Sequence, residues 1–192
     1  MEIENNNEIK IKKKDSVWDL VKFAVIAFLI VMPIRMFIAQ PFVVSGDSMV
    51  PTFHDGEYLI VDEISYNLGH IHRGDVAIFR YPNDPKRFFI KRVIGLPNEQ
   101  IFIKGNTVTI VNQENPEGFI LVEPYINENF NFDGTYLTKN KEYFVLGDNR
   151  NRSSDSRYWG VLPDKLLVGR AYLRLLPVKK MSYLPGAYEE EK

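Results

Sequence analysis

Residues 23–34 form an unbroken apolar run, and no other feature of this 192-residue chain limits its folding so strongly. With Val17, Trp18, Leu20 and Val21 before it and residues 36–39 after it, segment 17–39 reaches roughly 23 residues, enough for one helix to cross a bilayer. Asp19, Lys22 and Arg35 fall near its ends, where long basic side chains snorkel to the headgroups, and Pro33 is expected to kink its far end. Ala24, Val25, Ile26, Ala27, Phe28, Leu29, Ile30 and Val31 would cover every face of that helix, which favours a membrane span over an amphipathic helix buried in a core.

The charges give the expected span a direction. Lys10, Lys12, Lys13 and Lys14 precede it, and no Lys or Arg follows Arg35 until Arg73, so the positive-inside rule places the N-terminus in the cytoplasm. Phe37 stands two positions before Ala39, where a cleavable signal would need a small residue, so the segment is expected to stay as an anchor. The expected organisation is a polar cytoplasmic tail at 1–16, a single transmembrane anchor at 17–39 and an extracytoplasmic body at 40–192.

Within the body, short β-branched and aromatic stretches alternate with Gly, Pro, Asn and Asp, the pattern of strands and turns. Strands are expected at 42–44, 58–63, 75–81, 87–95, 100–103, 107–111, 119–122, 142–146 and 166–176, making the fold mainly β. The stretch from about 98 to 141 is richer in Asn, Glu and Gly than its flanks, with Gly105-Asn106 as one turn, and is read as a small inserted β lobe. With 24 basic and 25 acidic residues and no basic stripe interleaved with aromatics, the footprint of a nucleic-acid binder is missing. The absence of cysteine excludes disulfides, thiolate metal sites and a cysteine nucleophile, and turns attention to side-chain oxygens.

One such oxygen is Ser48, in Ser45-Gly46-Asp47-Ser48-Met49-Val50-Pro51-Thr52, between two apolar strands just beyond the expected anchor. Taken alone it reads better as a turn residue, since Gly46 and Pro51 already explain a bend. Lys91 changes the balance, because strand alternation puts it on the face of Phe89 and Val93, where apolar side chains point. A free lysine is deprotonated in only roughly one molecule in 2,500 at pH 7, whereas an apolar wall lowers a buried amine by about 3 to 5 pH units. Burial would thus turn Lys91 into a base able to take the serine proton. An edge-strand lysine that guards against aggregation is the plain alternative.

A rival arrangement uses the histidines, with His54 and Asp55 close after Ser48, and His70 and His72 further on. His70 and His72 would share a strand face, but no third or fourth metal ligand is evident, so loop positions suit them better and no metal site is expected.

Four segments in order resemble the bacterial type I signal peptidases of the short, single-anchor kind. They are residues 45–52, Gly74-Asp75-Val76-Ala77-Ile78-Phe79, Lys91-Arg92-Val93-Ile94-Gly95-Leu96-Pro97, and Gly147-Asp148-Asn149-Arg150-Asn151-Arg152-Ser153-Ser154-Asp155-Ser156-Arg157-Tyr158-Trp159-Gly160. The resemblance implies a signal-peptidase-like body of antiparallel sheets, with Ser48 as nucleophile, Lys91 as general base and Ser153 orienting the amine. It makes Asp155 and Arg157 an ion pair bracing the loop, and Phe42, Val44, Ser45, Met49, Phe53, Phe89 and Ile90 the substrate-binding positions; ordinary core packing is the alternative for the apolar ones. Many relatives carry serine where this chain has Gly46, so the oxyanion is expected to rest on the Ser48 backbone N–H and a further donor from the loop or water.

The implied reaction is removal of signal peptides with small residues at −1 and −3 from secretory preproteins, at the cell membrane, near the Sec translocon, with the lipid bilayer as the other partner and no cofactor. Self-cleaving stress-response repressors share the Ser-Lys pair but carry a DNA-binding domain where this chain has its apolar segment. A catalytically silent partner in pilus or surface-protein assembly is expected to lack the Ser or the Lys, and both are present.

Overall fold

The structure, a computed structural model, describes residues 13–37, 39–64, 66 and 71–188. The chain divides into two compact units, Met1–Phe37 and Ile38–Lys192. The first holds α1, Lys13–Phe37, whose apolar side chains from Val17 to Met32 are mostly exposed and lie on every face. Residues 1–12 of the expected tail, with Lys10 and Lys12, and the side chains of Pro33 and Arg35, lie outside what is described.

Among the described residues no helix is long and apolar enough to cross a membrane. Asp19 and Lys22 limit the uninterrupted apolar run to 23–34, which covers about 18 Å of helix against a hydrocarbon core of about 30 Å. The far boundary also differs from expectation: the helix ends at Phe37, and Ala39 opens the first strand.

The body consists of antiparallel strands: β1 Ala39–Val43, β2 Tyr58–Asp62, β3 Val76–Tyr81, β4 Asp84–Gly95, β5 Gln100–Lys104, β6 Thr107–Val111, β7 Phe119–Ile120, β8 Gly134–Leu137, β9 Glu142–Leu146, β10 Leu162–Pro163, β11 Leu167–Leu176 and β12 Ser182–Tyr183. The larger sheet runs β1-β2-β11-β3-β4-β9-β10, with β12 beside β11. Pro41 is accommodated because β1 is an edge strand, paired among the described residues only with β2. The smaller sheet runs β7-β6-β5-β8 and draws all its strands from the stretch read as an inserted lobe.

Strand β4 does most to place the site. Near its end it is buried on both faces: Val93 joins Ala77, Phe79, Val145 and Leu162 in one core, while Ile94 joins Ile101, Ile110 and Phe144 in the core under the small sheet. Burying each such side chain contributes about 1.5–3 kcal/mol. A slip of one residue would swap these two sets, so the register Ala77↔Lys91 and Phe79↔Phe89 is firmly held. A short helix α2, Ser156–Trp159, follows β9 and is capped by the Asp155 side chain on the Arg157 N–H.

Candidate active site

The turn that carries Ser48 lies between β1 and β2 and is closed at its base by Val44 N–H to the Glu57 carbonyl and Gly56 N–H to the Val44 carbonyl, both 2.9 Å. Met49 and Phe53 are fully buried and pack with Val44, Leu59, Val61, Val76 and Ile78. These two apolar plugs fix the loop and leave Ser48 half-exposed at its rim. Asp55 accepts the Gly46 N–H at 2.8 Å, so this carboxylate serves the loop backbone and not a histidine.

Lys91 reaches the same point from β4. Its side chain is 4% exposed and lies on the face of Phe89 and Val93, with its amine 5.3 Å from the Phe89 ring centre. Ala77, its cross-strand neighbour, is small enough to leave room for the lysine stem. Nζ lies 2.7 Å from Ser48 Oγ and donates to the Ile90 carbonyl at 2.8 Å. Burial pushes the ammonium down from its ordinary 10.5 to about 8, against the opposing charges of Asp155 and Asp148. Such a group is neutral in a useful fraction of molecules near pH 7 and sits in contact with a hydroxyl, so it can accept that proton.

Behind Ser48 runs the turn after β9. Asn149 N–H donates to the Ser48 carbonyl at 3.0 Å, and a Cβ on Gly147 would collide with that carbonyl and with Ser153. Ser153 is buried and its Oγ has no hydrogen-bond partner among the described residues; the Lys91 amine bonds to Ser48 and Ile90, not to Ser153. Asp155 and Arg157 form a buried bidentate pair at 2.8 and 2.9 Å, and Arg157 also donates to the Arg150 carbonyl at 2.6 Å. The Ser48 backbone N–H has no acceptor among the described residues, and around Gly46 the space a side chain would take is empty.

A cleft of about 540 Å³ opens on the pair, lined by Phe42, Val44 and Ser45 from one side and by Phe88, Phe89 and Ile90 from the other. Met49 and Phe53, expected among the substrate contacts, do not line it; their burial assigns them to the core behind. The histidines stay apart from Ser48: His54 Nδ1 lies 3.4 Å from Lys180 Nζ and 3.8 Å from Glu57, while His72 is exposed and lies 4.0 Å from Asp75. His70 lies outside the described residues.

Sequence reasoning gave no role to Thr52, Arg92 and Asp148. Arg92 is 1% exposed and holds Asp148 through two bonds of 2.8 and 2.6 Å, and Asp148 accepts the Thr52 hydroxyl at 2.5 Å. The signal was an arginine inside an apolar strand matched by an aspartate in the turn that Gly147 opens, a combination that requires pairing if both are buried.

A half-exposed serine against a desolvated lysine in a cleft of a β protein is an arrangement suited to acyl transfer. The family model described as signal peptidase, peptidase S26, matches residues 17–176. A protein of Synechocystis sp. named "Probable signal peptidase I-2" is 36% identical over 94% of this chain and 85% of its own length. Signal peptidase I of Bacillus licheniformis is 35% identical over 88% of this chain and 94% of that one. A solved signal peptidase I from Enterococcus faecalis V583 covers 53% of this chain and 96% of its own, at 34% identity and a TM-score of 0.46. The chain belongs to the signal peptidase family, peptidase S26.

Proposed function

We propose that this chain, a signal peptidase I that removes signal peptides from secreted preproteins, does so with Ser48 as nucleophile and Lys91 as general base. The observation that carries this reading is the 2.7 Å approach of the buried Lys91 amine to the Ser48 hydroxyl at the rim of the cleft. Lys91 takes the Ser48 proton, Oγ attacks the scissile carbonyl, and the Ser48 N–H receives the developing oxyanion. The mature chain leaves as the amine protonated by Lys91, and water activated by the same amine then frees the signal peptide from Ser48. The unpartnered Ser153 hydroxyl supports its assignment as the group that orients the amine, since a buried hydroxyl without a bond costs stability.

The substrate binds extended in the cleft. Among the described residues β1 pairs only with β2, and β4 before Arg92 only with β3, so each offers an edge to the cleft for main-chain pairing. Phe42, Val44, Phe89 and Ile90 meet the small side chains at −1 and −3, with Ser45 beside them.

Helix α1 serves as the anchor: its 25 residues extend about 37 Å, and Lys22 reaches the headgroups. The N-terminus is then cytoplasmic and the body lies on the outer face of the cell membrane, near the Sec translocon, where tethering raises the effective concentration of cleavage sites emerging from the bilayer. Ser48→Ala should abolish processing of a preprotein by the detergent-solubilised enzyme, read by sequencing the new N-terminus. Cleavage retained at the same bond would refute the assignment. Protease added outside spheroplasts should digest the body; a protected body would refute the topology.

A further inference from the structure

Around Arg92 the three chain segments that carry Ser48, Lys91 and Ser153 converge, and two more, at Gly74 and Gly186, join them there. Arg92 follows Lys91, Thr52 lies in the Ser48 loop, and Asp148 belongs to the turn whose Asn149 N–H holds the Ser48 carbonyl. Arg92 Nη1 donates to the Gly74 carbonyl at 2.8 Å and also to the carbonyl of Gly186, in the segment after β12. Gly186 has φ +76°, and a Cβ there would lie 2.6 Å from Thr52 Cγ2, 3.2 Å from Val76 Cγ2 and 3.3 Å from Phe53 Cε2. The next turn of chain stays close: Tyr188 packs on Tyr125 with ring centres 5.9 Å apart, and the Arg92 guanidinium lies 3.8 Å from the Tyr125 ring centre.

We propose that Gly186 is a positioning residue for the Ser48–Lys91 pair: its carbonyl fixes Arg92, and its bare α-carbon lets Thr52 close onto Asp148, clamping the nucleophile loop to the base strand. The proposal rests on the Ser48–Lys91 reading above. Gly186 does not line the cleft, so its influence passes through Arg92, through Thr52 and Asp148, and through the Val76 and Phe53 side chains beside its α-carbon. An L-residue at position 186 adds two faults at once, a left-handed backbone angle and a collision with the Thr52 methyl.

The test uses the full-length enzyme in detergent with a signal-peptide substrate. Gly186→Ala should lower kcat at least tenfold with KM within about twofold, and should raise the midpoint of the pH–kcat limb, because a loosened pair admits water to Lys91. Adding Thr52→Ser removes the methyl that the new Cβ strikes while keeping the hydroxyl, and should restore part of the kcat, the left-handed angle at position 186 remaining. Thr52→Val keeps the shape but loses the bond to Asp148, and should lower kcat and move the limb even if Gly186→Ala does not fold. A Gly186→Ala enzyme with a lower Tm but unchanged kcat and limb, a double variant no better than the single one, or an unaffected Thr52→Val enzyme would overturn the proposal. Cleavage by a parallel Ser48→Ala preparation would instead bring down the dyad reading beneath it.

Discussion

Lys91 Nζ stands 2.7 Å from Ser48 Oγ at the end of a side chain that is only 4% exposed, so the amine meets its hydroxyl in a site that disfavours its own charge. Proximity and desolvation come from the same cause, the inward face of β4. Phe89 and Val93 flank the lysine on that face, and the short Ala77 opposite admits its stem.

The placement should cost stability. With the folded value near 8 and the ordinary one at 10.5, the unfolded chain holds a proton between those pH values that the folded chain has released, so stability rises with pH across that window. Below about pH 8 the full cost applies, about 3 kcal/mol. Lys91→Met keeps the apolar stem and drops the charge. Thermal unfolding in detergent should find it more stable than the parent at pH 7, with the gap closing by about pH 10.5. Equal Tm values at pH 7 would show that the parent amine is not desolvated.

The Asp155–Arg157 pair is buried on both sides, and Asp155 also accepts the Gly147 N–H at 3.1 Å. Arg157→Met leaves that carboxylate without its cation and should destabilise the body by about 3–5 kcal/mol, as broken buried pairs do. Denaturant unfolding measures this directly. A change below about 1 kcal/mol would mean that the pair carries no more than a surface bridge does.

Much of the body was legible because its strands are short β-branched and aromatic stretches set off by turn residues. The segments at 107–111 and 142–146 match β6 and β9, since turn residues bracket them on both sides. Strand β8 was missed: Gly134–Leu137 is short, begins on glycine and is held by pairing with β5, a long-range contact with no local signature. Lys91 was legible because period-two alternation fixes which way a strand residue points. Met49 and Phe53 misled because a loop has no such period, and only the packed structure shows that both face the core. The Thr52–Asp148–Arg92 cluster joins residues up to 96 positions apart, a separation that no local pattern encodes.

The account turns on a neutral Lys91, and the pH dependence of kcat/KM on a signal-peptide substrate measures it most directly, taken from about pH 6 to 11 for the parent enzyme and for Lys91→Arg. The parent should rise along a limb with its midpoint near 8, and the arginine variant should be inactive throughout, because a guanidinium offers no lone pair in that range. A parent limb that climbs past pH 10 without inflection, or an active Lys91→Arg enzyme, would contradict the claim that Lys91 is the base.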